Sequence, residues 1–350
     1  MRKFTYTFLK DKTITASLFS LSNIITDLKG KVATKKKLNK NLFNKLNSIA
    51  IKESVVGSNA IEGIFTTQKR IKEIIEDNSK PLTHSEEEIA GYHDAIRFVT
   101  ENYEYLDFNE ETIKRIHALL VGRHVGFDKG GKYKTSDNVI ARTTEGGTII
   151  DVIFVPIKAK DVEKAMKDFC LAYQVARDDY DIPSLLLIPC VIMDFLSIHP
   201  FSDGNGRVSR LLTLLLLYKE GYDIGKYISL ENQINQYRDN YYHALQRSQK
   251  DWYDSKNTYY PFIEFTFQIL YQCYKEMNKR IMTIKTGKEK KSERIAAVVL
   301  DSIVPLSKRD IKELLPDVSV TTIEVVLAKL LKANKIYKIG TYKNAKYFKK

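Results

Sequence analysis

The spacing of apolar and polar residues predicts a mainly helical chain. Apolar positions recur at every third or fourth residue on both sides of a short β-rich stretch, which is the pattern of helices with one buried face. The helices predicted before that stretch cover residues 39–59, 67–76, 85–101 and 109–122. Residues 1–35 lack this regularity, and we expect a short strand or an extended arm there.

The pattern changes between Gly130 and Pro156, where two β-rich runs flank a Gly-Gly pair. This arrangement predicts a β-hairpin over residues 130–156. Helical periodicity then returns, and the most apolar segments are Ser184–Ile198 and Leu211–Tyr218. Both are shorter than a membrane span, so we interpret them as buried helices. Two further helices are predicted at 237–249 and 261–277.

A charged, Gly-containing stretch at 285–293 separates a small C-terminal unit from the rest of the chain. Three predicted helices are followed there by a hairpin. Ser307 with Asp310, and Thr321 with Glu324, have the spacing of capping boxes at two of the helix starts. Three helices and a two-stranded wing are the order of a winged helix-turn-helix.

The charge and cysteine content narrow the class of protein. The 350 residues carry a formal net charge of +13, which favours anionic partners such as phosphates, nucleic acid or an acidic protein surface. The three cysteines have neither disulfide nor zinc spacing and predict reduced thiols in a cytoplasmic protein. The first dozen residues contain no apolar segment, so we expect neither a secretory signal nor a membrane location.

Polar and flexible residues interrupt the most apolar part of the chain in the stretch HPFSDGNGRVSR, His199–Arg210. Gly204 and Gly206 stand at the start of a predicted helix, where free backbone N–H groups form an anion site. Arg207 and Arg210 are three residues apart and lie on one side of the first turn, where two guanidinium groups suit a polyphosphate. Arginine in a first turn opposes the helix dipole unless an anion or a carboxylate is nearby.

Two more residues of this stretch have the chemistry that a bound nucleotide requires. Asp203 could hold a Mg²⁺ ion that also contacts phosphate oxygens. His199 could act as a general base at neutral pH. The combination predicts a nucleotide site with a histidine directed at the phosphates.

The stretch resembles the Fic motif, His-x-Phe-x-Asp/Glu-Gly-Asn-Gly-Arg-x-x-Arg, and agrees with it at every defined position. Most Fic proteins transfer AMP from ATP to a Ser, Thr or Tyr hydroxyl of a target protein and release pyrophosphate. The related Doc proteins transfer a phosphate and have Lys in place of the second Gly. Gly206 at this position therefore favours AMP transfer. The resemblance spans roughly residues 40–275.

The resemblance implies a role for each residue of the motif. His199 would deprotonate the incoming hydroxyl, Phe201 would anchor the loop in the core, and Asp203 would hold Mg²⁺ against the α- and β-phosphates. The remaining residues would bind phosphate: Gly204, Asn205 and Gly206 as an anion hole, Arg207 at the β-phosphate and Arg210 at the γ-phosphate.

Two further segments resemble parts of Fic proteins. The hairpin at 130–156 corresponds to the Fic flap, to which an extended target segment would add as a strand. Its residues Val139 and Ile140 would cover the adenine, and Tyr241 with Tyr242 would lie near that base. One departure is Ile157, where relatives often have a second proline, and we expect it to affect the shape of the flap and not the chemistry.

The segment SNAIEG, Ser58–Gly63, resembles the inhibitory signature Ser/Thr-x-x-x-Glu-Gly/Asn of the family. The resemblance implies that Glu62 pairs with Arg210 and occupies the place of the γ-phosphate, so that ATP binds unproductively. A charge-assisted pair is worth a few kcal/mol at most, which is small enough for a partner to overcome.

The expected fold is therefore a Fic helical bundle with a β-hairpin flap and a small winged helix-turn-helix domain. The predicted boundaries are an N-terminal helical region at 1–105, the Fic domain at 106–280, a linker at 281–292 and the winged helix at 293–350. The expected function is that of an autoinhibited protein adenylyltransferase using ATP and Mg²⁺.

Alternatives stay open at this point. Glu62 could instead place a water that removes AMP from a target, or the protein could be a DNA-binding regulator whose Fic domain senses nucleotide. The Lys-rich wing, which includes Lys335, Lys338 and Lys343, suits phosphate contacts. Self-modification, a homodimer and DNA binding by residues 293–350 are further open expectations.

Overall fold

A computed structural model describes residues 2–10, 14–38, 40–126, 130–143, 149–285, 290–302, 304–341 and 345–350. The described chain is mainly helical and has two small antiparallel sheets. Its α-helices are α1 (Ala16–Leu38), α2 (Lys40–Ile61), α3 (Gln68–Ile75), α4 (His84–Asn102), α5 (Glu110–Val125), α6 (Val162–Asp178), α7 (Ser184–Ile198), α8 (Asn205–Lys219), α9 (Leu230–Gln236), α10 (Arg238–Gln249), α11 (Tyr260–Lys285), α12 (Lys291–Leu300), α13 (Lys308–Leu314) and α14 (Val320–Lys332). Its strands are β1 (Ile140–Thr143), β2 (Ile149–Phe154), β3 (Leu306–Ser307), β4 (Ile336–Ile339) and β5 (Lys346–Lys349).

Helices α7 and α8 form the centre of the core. From Leu185 to Ile198, α7 is buried at nearly every position, as its almost unbroken apolar sequence predicts. It packs against α6, α8, α10 and α11, while α8 also contacts α4 and α5. The loop between α7 and α8 therefore joins two of the most deeply buried helices of the described chain.

Most of the predicted elements are confirmed. The four helices expected before residue 125 correspond to α2, α3, α4 and α5, and those expected at 237–249 and 261–277 correspond to α10 and α11. Strands β1 and β2 pair antiparallel, with Arg142 opposite Asp151, which confirms the hairpin. Its Gly-Gly pair falls within 144–148, outside the described residues.

The expectation of an extended arm over residues 1–35 is wrong from Ala16 onward. The long helix α1 begins there and packs against α11. Its fully buried apolar residues are Leu18, Ile25 and Val32, one in every seven. A buried stripe this narrow gives little helical signal in the sequence, because most of the helix surface faces solvent.

The C-terminal unit contains α12, α13 and α14 and a sheet in which β5 lies between β3 and β4. Ser307 and Asp310 form the predicted capping box. The one predicted for Thr321 and Glu324 is wrong, because α14 begins two residues earlier than expected and Ser319 caps it by accepting a hydrogen bond from the backbone N–H of Thr322. The assignment as a winged helix-turn-helix stays a prediction.

Two sequence features of the C-terminal half lie partly outside the described residues. Lys343, at the tip of the expected wing, lies outside the described residues. The linker expected at 281–292 overlaps the end of α11 and the start of α12, and its middle, 286–289, is not described.

The C-terminal unit contacts helix α2 through ion pairs. Lys45 on α2 pairs with Asp310 on α13. Glu76, just after α3, pairs with Lys52 on α2 and, at 2.6 Å, with Lys346 on β5. The helix that leads to the Ser58–Gly63 signature is thus joined to the C-terminal unit directly at Lys45 and, through Glu76, at Lys52.

The three cysteines are buried and free, as expected from their spacing. Over the described part of the chain, no helix combines the length and the apolar character that crossing a membrane requires.

A buried carboxylate fixes the N-terminal segment to the core. Asp194 on α7 accepts hydrogen bonds from the hydroxyl groups of Tyr6 and Tyr259, both at 3.0 Å, and from the indole N–H of Trp252 at 2.7 Å. The guanidinium of Arg2 lies 3.8 Å from the same carboxylate. Burial raises the pKa of Asp194, and these donors and the nearby cation oppose that rise.

We predict that Asp194→Ala lowers the free energy of unfolding by about 3–5 kcal/mol, because it leaves a buried cation and three donors without their acceptor. Asp194→Asn retains one acceptor oxygen and should cost less. Asp168→Ala, which removes an exposed partner of Lys164, is the control and should change stability by less than about 1 kcal/mol. Urea denaturation measures all three, and equal costs for Asp194→Ala and Asp168→Ala would contradict the prediction.

Candidate active site

The loop 199–204 joins the C-terminus of α7 to the N-terminus of α8. His199 adopts the left-handed conformation, with φ 52° and ψ 61°, and this turns the chain out of α7. Its Nδ1 lies 3.3 Å from the carbonyl oxygen of Leu196. A carbonyl can only accept, so Nδ1 carries the proton and Nε2 presents a lone pair.

His199 is neutral at physiological pH in this environment. The pKa of His199 is lowered to about 4, mainly by burial and in smaller part by the charge of Lys134. The Leu196 carbonyl and the carboxylates of Glu62 and Asp203 act in the opposite direction. The imidazole is therefore held in the form that accepts a proton.

The conformation of the loop is held by Phe201 and Asn205. Phe201 is fully buried. The Asn205 amide accepts from the backbone N–H of Phe201 at 3.0 Å and donates to its carbonyl oxygen at 2.8 Å. Gly204 precedes α8 with φ 77°, which favours glycine. The Asn205 side chain thus closes the loop, and the first turn of α8 provides the backbone N–H groups for an anion.

Arg207 is buried in the first turn of α8, with 2% of its side chain exposed. It pairs with Glu88 on α4 at 2.9 Å and with Asp203 at 3.2 Å. The two carboxylates differ in exposure, since Glu88 is 8% exposed and Asp203 is 68% exposed. Glu88 is therefore the fixed counter-charge of Arg207, and Asp203 stands at the mouth of the site.

Arg210 is also buried and is contacted by the end of α2. Its Nε donates to the Ser58 hydroxyl at 2.8 Å, and one terminal nitrogen donates to the Ser58 carbonyl at 3.1 Å. The same nitrogen lies 2.7 Å from Oε1 of Glu62. The Glu62 side chain is 31% exposed, so this counter-charge sits at the surface of the site.

Glycine at position 206 makes room for the Glu62 carboxylate. A Cβ atom at Gly206 would lie 2.4 Å from Glu62 Oε1. Only a residue without a side chain allows Glu62 to lie across the start of α8. The carboxylate therefore lies against the N-terminal turn of α8.

Three guanidinium nitrogens of the site are buried without a hydrogen-bond partner among the described residues. They are Nε and one terminal nitrogen of Arg207, and one terminal nitrogen of Arg210. Buried donors of a charged group rarely stay unpaired, because the lost hydration is costly. Unpaired donors beside a helix N-terminus point to an anion as the missing partner.

The residues that were predicted to bind adenine differ in how far they are exposed. Tyr241 is buried, and its pKa is raised to about 12 by burial, although the Arg210 charge opposes that rise. Tyr242 is 41% exposed, and its ring lies 5.2 Å from that of Tyr241. Val139 and Ile140 lie at the start of β1 on the flap, where Val139 is exposed.

Three residues of the site could not be identified from the sequence motifs. Glu88 is the counter-charge of Arg207, and no motif marks it. Lys134 is buried, its backbone N–H donates to the Pro200 carbonyl at 2.9 Å, and burial lowers the pKa of its ammonium to about 8. His117 on α5 contacts both the flap and the loop. Only the place of Lys134 in the flap segment could have indicated it.

The acidic side chains near the loop decide whether a Mg²⁺ ion fits the site. Within the described ranges, no group of three or more His, Cys, Asp or Glu side chains could hold a metal ion. A single exposed carboxylate at Asp203 suits Mg²⁺, because this ion keeps several waters and takes its remaining ligands from substrate phosphates.

We predict that Gly206→Ala breaks the contact between Glu62 and Arg210, because the new methyl group displaces the flexible carboxylate and not the backbone. The substitution should cost about 1–3 kcal/mol of stability in the wild type and clearly less in Glu62→Gly. Urea denaturation of the four proteins gives this difference. Gly30→Ala, whose methyl group would meet nothing within 4 Å, is the control and should show no such coupling.

We also predict that His199 stays neutral well below the usual pH range of histidine. Its folded-state pKa of about 4 lies below the unfolded value near 6.5. NMR of the free protein should show no titration of this ring between about pH 5.5 and 8. The same resonance in urea-unfolded protein is the control. Titration near 6.5 in the folded protein would show that the ring is not shielded from water.

Part of this chain is similar in sequence to known proteins. Residues 106–217 match the model of the Fic/DOC family. A protein named protein adenylyltransferase Fic from Nematostella vectensis is 27% identical, covering 49% of this chain and 40% of that protein. A Fido domain-containing protein from Dictyostelium discoideum is 34% identical, covering 20% of this chain and 50% of that protein. The chain thus spans half or less of the length of these curated relatives.

Solved structures share the fold. A Fic family protein from Desulfovibrio desulfuricans G20 has a TM-score of 0.62 and 21% identity, with 97% of each chain covered. A Fic domain-containing signalling protein from Bacteroides thetaiotaomicron has a TM-score of 0.60 and 19% identity, covering 72% of this chain and 94% of the other. The mainly helical architecture is that of the Fic fold. Residues 106–217 thus resemble the Fic/DOC family, and the described chain shares the fold of these solved Fic structures.

Proposed function

We propose that the protein is an autoinhibited adenylyltransferase that transfers AMP from ATP to a hydroxyl group of a target protein or of itself. The proposal rests mainly on the hydrogen-bond partners that the two buried arginines have and lack. Arg207 and Arg210 present unpaired donors beside the N-terminus of α8, and Arg210 is paired with a surface carboxylate. The relative named adenylyltransferase supports ATP as the substrate.

His199 would be the general base. Its Nε2 takes the proton of a Ser, Thr or Tyr hydroxyl as the hydroxyl oxygen attacks the α-phosphorus. The new bond joins that oxygen to phosphorus, and the bond between the α-phosphorus and the bridging oxygen breaks. Pyrophosphate leaves with the electron pair. The Leu196 carbonyl at 3.3 Å orients the ring for this transfer by keeping the proton on Nδ1.

The arginines and the helix start would hold the polyphosphate. Arg207 would contact the β-phosphate and Arg210 the γ-phosphate. Each would use a buried donor that has no hydrogen-bond partner among the described residues. Backbone N–H groups at Asn205 and Gly206 would bind the α-phosphate. Such an arrangement accelerates the reaction mainly by positioning the α-phosphorus in line with the attacking oxygen.

Asp203 would hold Mg²⁺ together with the phosphates. When bound, this ion offsets the negative charge that the leaving pyrophosphate carries. The exposed Asp203 carboxylate reaches Arg207 at 3.2 Å, so the same side chain joins the metal position to the phosphate-binding arginine.

Glu62 would inhibit the reaction by competing with the γ-phosphate for Arg210. A charge-assisted contact of about 1.5–3 kcal/mol corresponds to roughly 10- to 100-fold in occupancy. Repulsion between the carboxylate and a γ-phosphate adds to this effect. The exposed position of Glu62 lets a modest change at the end of α2 release it.

The target would dock on the flap. Ile149, Ile150 and Val152 on β2 are half-exposed apolar residues. An extended segment that pairs with the flap edge would cover them and bring its hydroxyl group toward His199.

We predict that Glu62→Gly raises self-labelling at least about tenfold over wild type when the protein is incubated with Mg²⁺ and ATP labelled on the α-phosphate. Ser58→Ala, which leaves Glu62 in place, should have a smaller effect. His199→Ala combined with Glu62→Gly is the control and should give no label. Equal labelling of wild type and Glu62→Gly would contradict autoinhibition by Glu62.

Other outcomes of the same experiment favour the alternative functions. If a parallel incubation with ATP labelled on the γ-phosphate transfers label while α-labelled ATP does not, the result indicates phosphate transfer. Loss of AMP from labelled protein that requires Glu62 indicates the reverse reaction. Absence of any transfer, together with salt-dependent binding of duplex DNA that Lys335→Ala and Lys338→Ala weaken, favours the DNA-binding regulator.

A further inference from the structure

His117 lies where the flap, the loop and α5 meet. It is 5% exposed and belongs to none of the motifs in the sequence. Its Nδ1 accepts a hydrogen bond from the backbone N–H of Gly131 at 2.9 Å, and its Nε2 lies 3.2 Å from the carbonyl oxygen of Asp203. These partners fix the tautomer, since Gly131 donates to Nδ1 and Asp203 can only accept from Nε2.

The ring of His117 is also stacked on Phe201. The ring centroids are 3.7 Å apart, and the planes differ by 1°. A Cβ atom at Gly204 would lie 3.7 Å from the His117 ring. One imidazole thus contacts the loop at Phe201, at Asp203 and next to Gly204.

The first residues of the flap, 131–134, also contact α5 and the loop closely. Gly131 has φ 79°, and a Cβ there would lie 2.7 Å from the Lys114 carbonyl oxygen, so the chain can pass this close to α5 only as glycine. Tyr133 donates its hydroxyl hydrogen to Glu110 at 2.8 Å. The backbone N–H of Lys134 donates to the Pro200 carbonyl. The start of the flap and the loop are therefore one connected unit.

We propose that His117 is a positioning residue that couples the flap, through Gly131, to the loop that carries Asp203. The inference rests on the proposed function, because it assigns the target to the flap and the nucleotide to the loop. Nδ1 serves the flap and Nε2 serves the loop, so ordering on one side favours the same ring position on the other. Nucleotide binding and flap ordering then strengthen each other, as linkage requires.

The two halves of this role can be separated by substitution in the Glu62→Gly background. Asparagine places an amide oxygen near the position of Nδ1 and keeps the acceptor for Gly131. Glutamine places an amide N–H near the position of Nε2 and keeps the donor for Asp203. Phenylalanine keeps the stack on Phe201 and loses both hydrogen bonds.

Hydrogen exchange of the nucleotide-free proteins is the first measurement. His117→Gln should speed exchange in 130–142 about fivefold or more and leave 201–206 nearly unchanged. His117→Asn should show the reverse, and His117→Phe should speed both. Tyr133→Phe is the matched control, because it removes a hydrogen bond at the start of the flap without contact to Asp203. It should speed exchange in 130–142 alone.

The second measurement adds Mg²⁺ with α,β-methylene-ATP. In Glu62→Gly the analogue should slow exchange in both segments, and this protection of 130–142 should persist in Tyr133→Phe but vanish in His117→Gln and His117→Phe. In His117→Asn, calorimetric affinity for the analogue should fall about tenfold.

The two proposals fail in different ways. If both His117→Gln and His117→Asn speed exchange in the same segments, or if His117→Gln and His117→Phe keep the protection of 130–142 by the analogue, the coupling role of His117 is overturned. If Glu62→Gly with His117 intact neither binds the analogue nor labels itself, the proposed function is overturned, while the nucleotide-free exchange pattern still decides the role of His117.

Discussion

Two guanidinium groups are buried in the first two turns of α8, at the end of the helix where the macrodipole is positive. This arrangement is unfavourable unless each group has an anion nearby, since a buried charge without a partner costs several kcal/mol. Glu88 meets this need for Arg207 and Glu62 meets it for Arg210. The contacts of α4 and α2 with α8 bring these two carboxylates to the arginines.

The two counter-charges differ in how easily a ligand can replace them. Glu88 is held on a helix within the core, and its pair with Arg207 is nearly inaccessible to water. Glu62 stands one residue after the end of α2, and a third of its side chain faces solvent. Under the proposed function, an incoming polyphosphate would add to Arg207 but would have to displace the partner of Arg210. A permanent ion pair and an exchangeable one occupy successive turns of the same helix.

The parts of this arrangement that depend on local sequence could be predicted. His199–Arg210 combines a tight turn and a helix start, both written in consecutive residues, and Ser58–Gly63 has a similarly local pattern. Helix α1 could not be predicted, because its buried residues Leu18, Ile25 and Val32 are too sparse to give a periodic signal. His117 and Glu88 could not be predicted either, since their partners are far away in sequence and only the packing of α4 and α5 on the loop brings them together.

The contacts between α2 and the C-terminal unit give the helix a second property. Lys45 pairs with Asp310 near the start of α2, and Glu62 follows its last residue about five turns later, roughly 25 Å away. A helix of this length resists bending and twisting over its turns. Helix α2 thus connects the surface of the C-terminal unit, at Asp310, with the ion pair between Glu62 and Arg210. A molecule that binds to the C-terminal unit and a change at Glu62 would therefore act on the same helix, although they have no side chain in common.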